Sequence, residues 1–312
     1  MKKIKCANNS AVQSKKLRKI KKYTPVYIMF LPVLIYYILF CYKPMYGLLM
    51  VFKDFDIAQG IFGSRWVGLL HFDRFINNYY FWRLLKNTLT ISLTSLVFGF
   101  PAPIILALLL NEVRHKKFKT VVQNITYLPH FISTIVICGM LKDFLGETGW
   151  INDLIVFFGG ERKMLLNDPE LFVPIYVISG IWQAVGWNSI IYMAALSNVP
   201  MELYEAAEID GAGRWKQLWV VTIPAILPTI VTLFILRMGS VLSVGYEKII
   251  LLYSPLTYKT ADVISTYTYR EGLLGANWSY SAAVGVFNSV INFVLLIVFN
   301  RISKKVSDTS LW

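Results

Sequence analysis

The chain has 312 residues, of which 56% are hydrophobic and 16% are charged, and its mean hydropathy is +0.53. This composition excludes an ordinary soluble domain of that length and predicts a membrane protein. The net charge of +13 does not indicate nucleic-acid binding, because the basic residues gather at positions typical of membrane topology.

Charge-free runs predict the membrane-spanning elements, since a bilayer core needs about 20 apolar residues per helix. In chain order they are Tyr23–Tyr42, Asn87–Asn111, Thr120–Leu141, Leu171–Met201, Leu218–Leu236 and Gly272–Asn300. The sequence therefore predicts an all-α membrane protein with six transmembrane helices. The first run is longer than the core of a secretory signal and no small-residue cleavage site follows it, so we expect it to be retained.

Basic residues predict the orientation. They crowd residues 1–22, before the first span, and recur between spans two and three, between spans four and five, and after span six. The positive-inside rule then puts both termini in the cytoplasm. We expect a basic cytoplasmic tail at 1–22, a six-helix domain at 23–305 and a C-terminal tail at 306–312. The first tail either sets topology alone or also attracts anionic lipid.

The loop between spans four and five, residues 199–224, has a pattern of its own. Pro200 can start a helix, Gly211 and Gly213 can end it, and a second short helix can begin near Arg214. A helix, a glycine turn and a second helix make a compact knob that suits docking into a groove of another protein.

The spacing within this loop carries a resemblance. Glu205-Ala206-Ala207, three residues, Gly211, nine residues and then Val221-Thr222-Ile223-Pro224 resemble the EAA signature of ATP-binding-cassette (ABC) importer permeases. The family pattern ends in Ile-x-Leu-Pro, so the chain departs from it conservatively at Val221 and Ile223. The resemblance covers about residues 23–305 and is strongest to the carbohydrate branch related to the maltose transporter. The stretch 237–248 resembles the polysaccharide and complex-oligosaccharide subgroup often called lipoprotein-type permease B.

This resemblance implies a type I importer with the MetI-like permease fold in a bacterial cytoplasmic membrane. The implied partners are a second permease subunit, two cytoplasmic ABC ATPase subunits and an extracellular or periplasmic solute-binding protein. ATP and Mg would bind the ATPase subunits, and this chain would hold no cofactor. The implied coupling residues are Glu205, Ala206, Ala207, Asp210, Gly211 and Pro224. Glu205 would contact a basic residue of the ATPase, and Gly211 would permit the sharp turn. The alternative for the loop's glutamates is a solvated helix face.

Polar residues within the spans are candidates for the cargo path, because such residues usually face other helices or a water-filled route. They are Gln183, Trp187, Asn188, Arg237, Asn288 and Asn292. Arg237 could bind sugar hydroxyls or a uronate carboxylate through its fork of donors. It could equally form an ion pair inside the heterodimer or lie near the membrane edge. Trp187 could also be an ordinary packing residue.

The sequence lacks the common motifs of ATP-binding and hydrolytic enzymes. The sequence has no Walker-type phosphate loop, no H-E-x-x-H and no nucleophile elbow, so the chain is expected to be a transport subunit and not an enzyme. Two rivals stay open. One is a permease of the same superfamily for amino acids, peptides or ions. The other is an ATP-independent secondary transporter or channel, which often shows inverted repeats.

Overall fold

The computed structural model describes residues 22–307. Of the predicted N-terminal tail, all but Lys22 lies outside the described residues, and so do residues 308–312 of the predicted C-terminal tail. The chain divides into two compact units between Val67 and Gly68.

The first unit is dominated by one apolar helical segment, α1, over Lys22–Phe52. It widens into π-helical turns at Tyr37–Tyr42 and tightens into a 3₁₀ helix at Tyr46–Phe52. No residue of its most apolar stretch is buried, as expected for a helix surrounded by lipid. The helix extends beyond the predicted span Tyr23–Tyr42. A short helix, α2 (Gly60–Gly63), then connects two antiparallel strands, β1 (Lys53–Asp54) and β2 (Arg65–Trp66).

The second unit is helical throughout. Its helices are α3 (Leu70–Ile76), α4 (Phe81–Gly99), α5 (Pro101–Glu112), α6 (Lys116–Tyr127), α7 (Thr134–Leu145), α8 (Trp150–Phe157), α9 (Pro169–Ser197), α10 (Met201–Ile209), α11 (Arg214–Gln217), α12 (Ile223–Met238), α13 (Tyr246–Leu252), α14 (Tyr258–Ala261), α15 (Ile264–Tyr269) and α16 (Trp278–Ser307). Single turns of 3₁₀ or π helix join several of them.

Four helical segments are long and apolar enough to cross a membrane: α1, α4 with α5, α11 with α12, and α16. A fifth candidate is the bent pair formed by Lys116–Phe131 and Thr134–Phe157, taken as one span. Helix α9 is 29 residues long but is not among them, since Gln183, Trp187 and Asn188 interrupt its apolar run. The helical membrane fold is confirmed, and four to five of the six predicted spans are present by length and composition.

The predicted third span, Thr120–Leu141, is not one straight helix. The chain bends by 101° between Phe131 and Thr134. Pro129, which has no N–H to donate, lies in the 3₁₀ turn at this break. Ser133 then caps α7 by accepting the N–H of Val136 at 3.4 Å, which restarts the helix in a new direction.

Helix α9 is the centre of the second unit and packs against α4, α5, α6 and α12. Its contact with α6 is unusually close at Gly186, where a Cβ atom would lie 2.2 Å from the carbonyl oxygen of Thr126. Only glycine fits there. Asp168 starts α9 by accepting the N–H of Glu170 at 2.8 Å, with Pro169 in the first turn.

A buried carboxylate fastens α4 to the segment that precedes α15. Asp262 is fully buried, and its oxygens accept hydrogen bonds from Arg270 at 2.9 and 3.2 Å and from Arg83 at 3.4 Å. The Thr266 hydroxyl donates to the same carboxylate at 2.9 Å, and Asn87 donates to the Asp262 backbone carbonyl. A charge removed from water is tolerable only when it is paired in this way.

Candidate functional site

A polar cavity of about 560 Å³ lies among α4, α5, α9, α12 and α13. Residues on one face of α9 supply much of its wall, at helical spacing, and Gly180 lies among them. The polar side chains in the wall are Ser95, Tyr176, Gln183, Asn188, Tyr192, Arg237, Ser240 and Lys248. No residue of this wall is acidic, so the cavity has a positive character.

Arg237 belongs to the last turn of α12 and is exposed. A cation at this end of a helix is favoured by the helix dipole. Of the described residues, no acidic side chain lies within ion-pair distance of Arg237. The guanidinium therefore presents its donors to the cavity without a carboxylate partner.

Lys248 is the second cation of the cavity and is only 8% exposed. Its Nζ donates to the backbone carbonyl of Tyr176 at 3.3 Å and lies 5.1 Å from the centre of the Tyr176 ring. Burial lowers the pKa of Lys248 to about 8. The sequence did not identify this residue as a site residue, because it lies outside the six predicted spans. The signal that could have identified it is a lysine directly before the apolar residues 249–252.

Three of the six predicted cargo-path residues line the polar cavity, namely Gln183, Asn188 and Arg237. Gln183 also donates to the Ile132 carbonyl at 3.4 Å. Trp187 lies one position along α9 from Asn188 but stacks on His130, with ring centres 4.5 Å apart and planes 4° apart. Through this stack and the Gln183 bond, α9 contacts the break between α6 and α7.

Asn288 and Asn292, the other two predicted residues, face the turn that joins α12 to α13. The Oδ1 atom of Asn292 accepts the N–H of Leu242 at 3.0 Å, and its Nδ2 donates to the Ser243 hydroxyl at 3.0 Å. Asn288 donates to the Leu242 carbonyl at 3.5 Å. Asn288 also lines a second cavity of about 410 Å³ whose wall includes Tyr246, Tyr269 and Trp278.

The loop 199–224 has the predicted order of helix, glycine turn and second helix. Helix α10 ends in a Schellman motif, in which the Ala212 N–H donates to the Ala207 carbonyl at 2.8 Å and the Gly211 N–H donates to the Glu208 carbonyl at 3.0 Å. Gly211 has φ +73°, a left-handed conformation that glycine adopts without strain. The sharp turn predicted at Gly211 is therefore present.

The predicted coupling residues are spread along this loop. On α10, Glu205 and Ala206 are exposed and Ala207 is half-buried. Asp210 is the C-terminal cap of the same helix. Pro224 is in the first turn of α12, directly after π-helical turns at Leu218–Thr222. The Tyr204 hydroxyl contacts that of Thr222 at 3.0 Å and so attaches α10 to the start of the long helix.

Apolar side chains on the loop face outward. Met201, Ile209, Trp215 and Trp219 are 68%, 87%, 79% and 66% exposed. Large apolar groups exposed together, with acidic side chains between them, are typical of a protein–protein contact surface. Within residues 22–307, no group of three His, Cys, Asp or Glu side chains could hold a metal ion.

Comparisons with known proteins agree with this geometry. Residues 99–308 match the family described as binding-protein-dependent transport system inner membrane component. The chain is 44% identical over 288 residues, or 92% of its length, to the polygalacturonan/rhamnogalacturonan transport system permease protein YteP of Bacillus subtilis, of which the match covers 90%. It is also 44% identical, over 92% of its length, to protein LplB of the same organism, of which the match covers 91%.

Among solved structures, the chain is similar to a subunit of a bacterial ABC transporter involved in the import of the acidic polysaccharide alginate. The TM-score is 0.87 at 44% identity, over 94% of this chain and 99% of that one. A subunit of the MetNI methionine ABC transporter superposes with a TM-score of 0.51 at 16% identity, over 77% of this chain and 97% of that one. This second likeness shows the shared fold alone.

Proposed function

Because the chain belongs to the family of binding-protein-dependent transport system inner membrane components, we propose that it forms one half of the cargo path of an ATP-driven importer for acidic oligosaccharides. Membership makes it a multi-pass inner-membrane permease subunit and not an enzyme. The observation that carries the proposed cargo is the polar cavity, whose wall holds Arg237 and Lys248 and no acidic residue.

The chemistry of the cavity matches that of uronate polymers. Each uronate unit carries one carboxylate and several hydroxyls, so its recognition needs cations together with neutral hydrogen-bonding groups. The cavity offers both, since Gln183 and Asn188 accompany the two cations. The transport of polygalacturonan by YteP and of alginate by the structural relative supports the same cargo class.

The proposed topology has six spans, with 1–22 and 306–312 as cytoplasmic tails and 23–305 as the permease domain. Helix α9 would be the sixth span, added to the four long apolar segments and the bent pair. Its 29 residues reach roughly 43 Å at 1.5 Å per residue. Its polar residues do not contradict this role, since they line a cavity inside the protein and do not face lipid. The positive residues near the loop 199–224 support its position in the cytoplasm.

In the proposed mechanism, a solute-binding protein outside the cytoplasm delivers the saccharide, and a second permease completes the path. Two ATPase subunits, which bind ATP and Mg, drive the switch between outward- and inward-facing states by binding ATP differently in each. The exposed face of α10 and α11 would dock on one ATPase, with Glu205 meeting a basic residue there. A structural relative solved with a pentasaccharide-bound periplasmic protein supports the outer partner.

The proposal is tested with the complete importer in proteoliposomes. Wild-type vesicles should take up trigalacturonate only when ATP is inside with the ATPases, and should leave maltotriose outside. ATP-independent uptake of trigalacturonate would point to a secondary transporter. Import of maltotriose or an amino acid instead of trigalacturonate would overturn the cargo.

A pair of glycine variants tests the coupling role. Gly211 and Gly213 have no neighbouring atom within 4 Å of an added Cβ, and of the two only Gly211 has a positive φ. Gly211→Val should let ATP hydrolysis continue while import falls, because the turn cannot form without strain of about 1–2 kcal/mol. Gly213→Val is the matched control and should import normally. Equal import by both variants would contradict the coupling role.

A further inference from the structure

Resting on the proposed import of acidic saccharides, we infer that Lys248 forms, with Arg237, a two-cation site that binds the carboxylates of the cargo inside the polar cavity. Lys248 ends the stretch 237–248 that resembles the polysaccharide subgroup, but neither the EAA signature nor the predicted cargo-path residues include it. The site deepens the proposed function by naming the group that the permease itself recognises, which is the carboxylate and not only the sugar hydroxyls.

The first step concerns the hydrogen bonds of the ammonium group. Lys248 carries three N–H donors on Nζ, and the described residues provide one hydrogen-bond acceptor, the carbonyl of Tyr176. Tyr176 lies inside α9, where a backbone carbonyl already accepts the N–H four residues further along. The same oxygen also accepts the Ser179 hydroxyl at 3.2 Å, so the bond to Lys248 is a further, weak use of it. Donors are left for a ligand.

The second step concerns charge. The described residues place no acidic side chain within ion-pair distance of Lys248. A lysine that is 8% exposed without a carboxylate is unfavourable unless another anion joins it. Arg237 adds a second positive charge to the same wall. The two cations, in a partly enclosed space, attract a polyanion more strongly than they would in open water.

The third step concerns access. A Cβ atom on Gly180 would lie 3.6 Å from Nζ of Lys248, so the absence of a side chain at this position leaves one side of the ammonium uncovered. Gly180 itself lines the cavity. The aromatic ring of Tyr176 covers another side at 5.1 Å. A carboxylate that enters the cavity can therefore reach Nζ over Gly180.

The test measures trigalacturonate uptake by the complete importer in proteoliposomes. Lys248→Met should lower uptake about ten-fold or more, because it removes a charged hydrogen-bond donor to the cargo carboxylate. Lys248→Arg, which keeps the charge, should retain most of the uptake. Gly180→Ala, which keeps the lysine but partly covers it, should give a smaller loss. Lys259→Met is the matched control, because Lys259 is exposed on α14, and it should import normally.

Co-purification of the second permease and the ATPase subunits reports assembly for every variant. Uptake by Lys248→Met equal to that of the wild type would overturn the inference while leaving the proposed function intact. Equal losses in Lys248→Met and Lys248→Arg would also overturn it, since they would indicate a requirement for shape and not for charge. Failure of the wild type to import trigalacturonate would overturn the proposed cargo and the inference together.

Discussion

Replacement of Lys248 by methionine is expected to stabilise the folded permease at neutral pH. Burial lowers the pKa of Lys248 from 10.5 to about 8. This difference disfavours the charged form in the folded state by about 3 kcal/mol, at about 1.4 kcal/mol per pKa unit. Methionine has an unbranched apolar side chain that adapts to irregular space. It needs no solvation and leaves no polar atom of Tyr176 unsatisfied, because that carbonyl belongs to a helix.

The pH dependence of this effect has a definite sign. The folded-state pKa is the lower one, so the unfolded chain binds more protons between about pH 8 and pH 10.5, and stability rises with pH across that window. Below about pH 8 the full penalty is present. The stability advantage of Lys248→Met should therefore be largest near neutral pH and shrink as the pH rises.

The measurement is thermal unfolding of the detergent-solubilised permease, followed by intrinsic fluorescence at neutral pH and at about pH 9.5. Lys248→Met should unfold several degrees above the wild type at neutral pH, whereas Lys259→Met should not. A lower unfolding temperature for Lys248→Met at neutral pH would refute the reasoning. It would mean that the bond from Nζ to the Tyr176 carbonyl stabilises the fold by more than the burial of the charge costs.

Three further substitutions test contacts that hold the second unit together, each by its effect on unfolding temperature. Asp262→Asn should destabilise by about 3 kcal/mol, because it leaves the half-buried Arg270 and Arg83 without their carboxylate; an unchanged temperature would contradict this. Gly186→Ala should destabilise by about 1–3 kcal/mol through the clash with α6, and Gly139→Ala, which has open space, serves as its control. Asn292→Leu should cost about 1–3 kcal/mol by leaving the Leu242 N–H without an acceptor; a loss of uptake at unchanged stability would instead indicate direct cargo contact.

Hydropathy and turn chemistry predicted much of the fold. The apolar runs located the long helices, and Pro200 with Gly211 located the helix and turn of the loop 199–224, because these signals are local. The break after Pro129 was not predicted, since a proline in an apolar run can also sit in a continuous, kinked helix. The start of the structure's last helix at Trp278, later than the predicted Gly272, reflects π-helical turns over Arg270–Leu274 that hydropathy does not register.

The candidate site was predictable only in part, because its members are brought together by tertiary packing. Gln183 and Asn188 were recognisable as polar residues on one face of an apolar helix. Lys248 was not, since its segment has no apolar run long enough to be a span, and its burial depends on contact with α9. The ion pair between Asp262 and Arg83 joins residues 179 positions apart, which no local pattern indicates.

One helical segment connects the two candidate sites. The segment Arg214–Met238 starts at the loop with Gly211 and ends at the cavity with Arg237, a length of roughly 37 Å at 1.5 Å per residue. A helix transmits displacement along its axis, so docking of the loop on an ATPase should alter the surroundings of the cavity. A fluorophore on Ser240→Cys, in an importer without other cysteines, should change its emission when a non-hydrolysable ATP analogue binds. Gly211→Val should abolish the change while Gly213→Val keeps it. An emission change that persists in Gly211→Val would show that the signal reaches the cavity by another route.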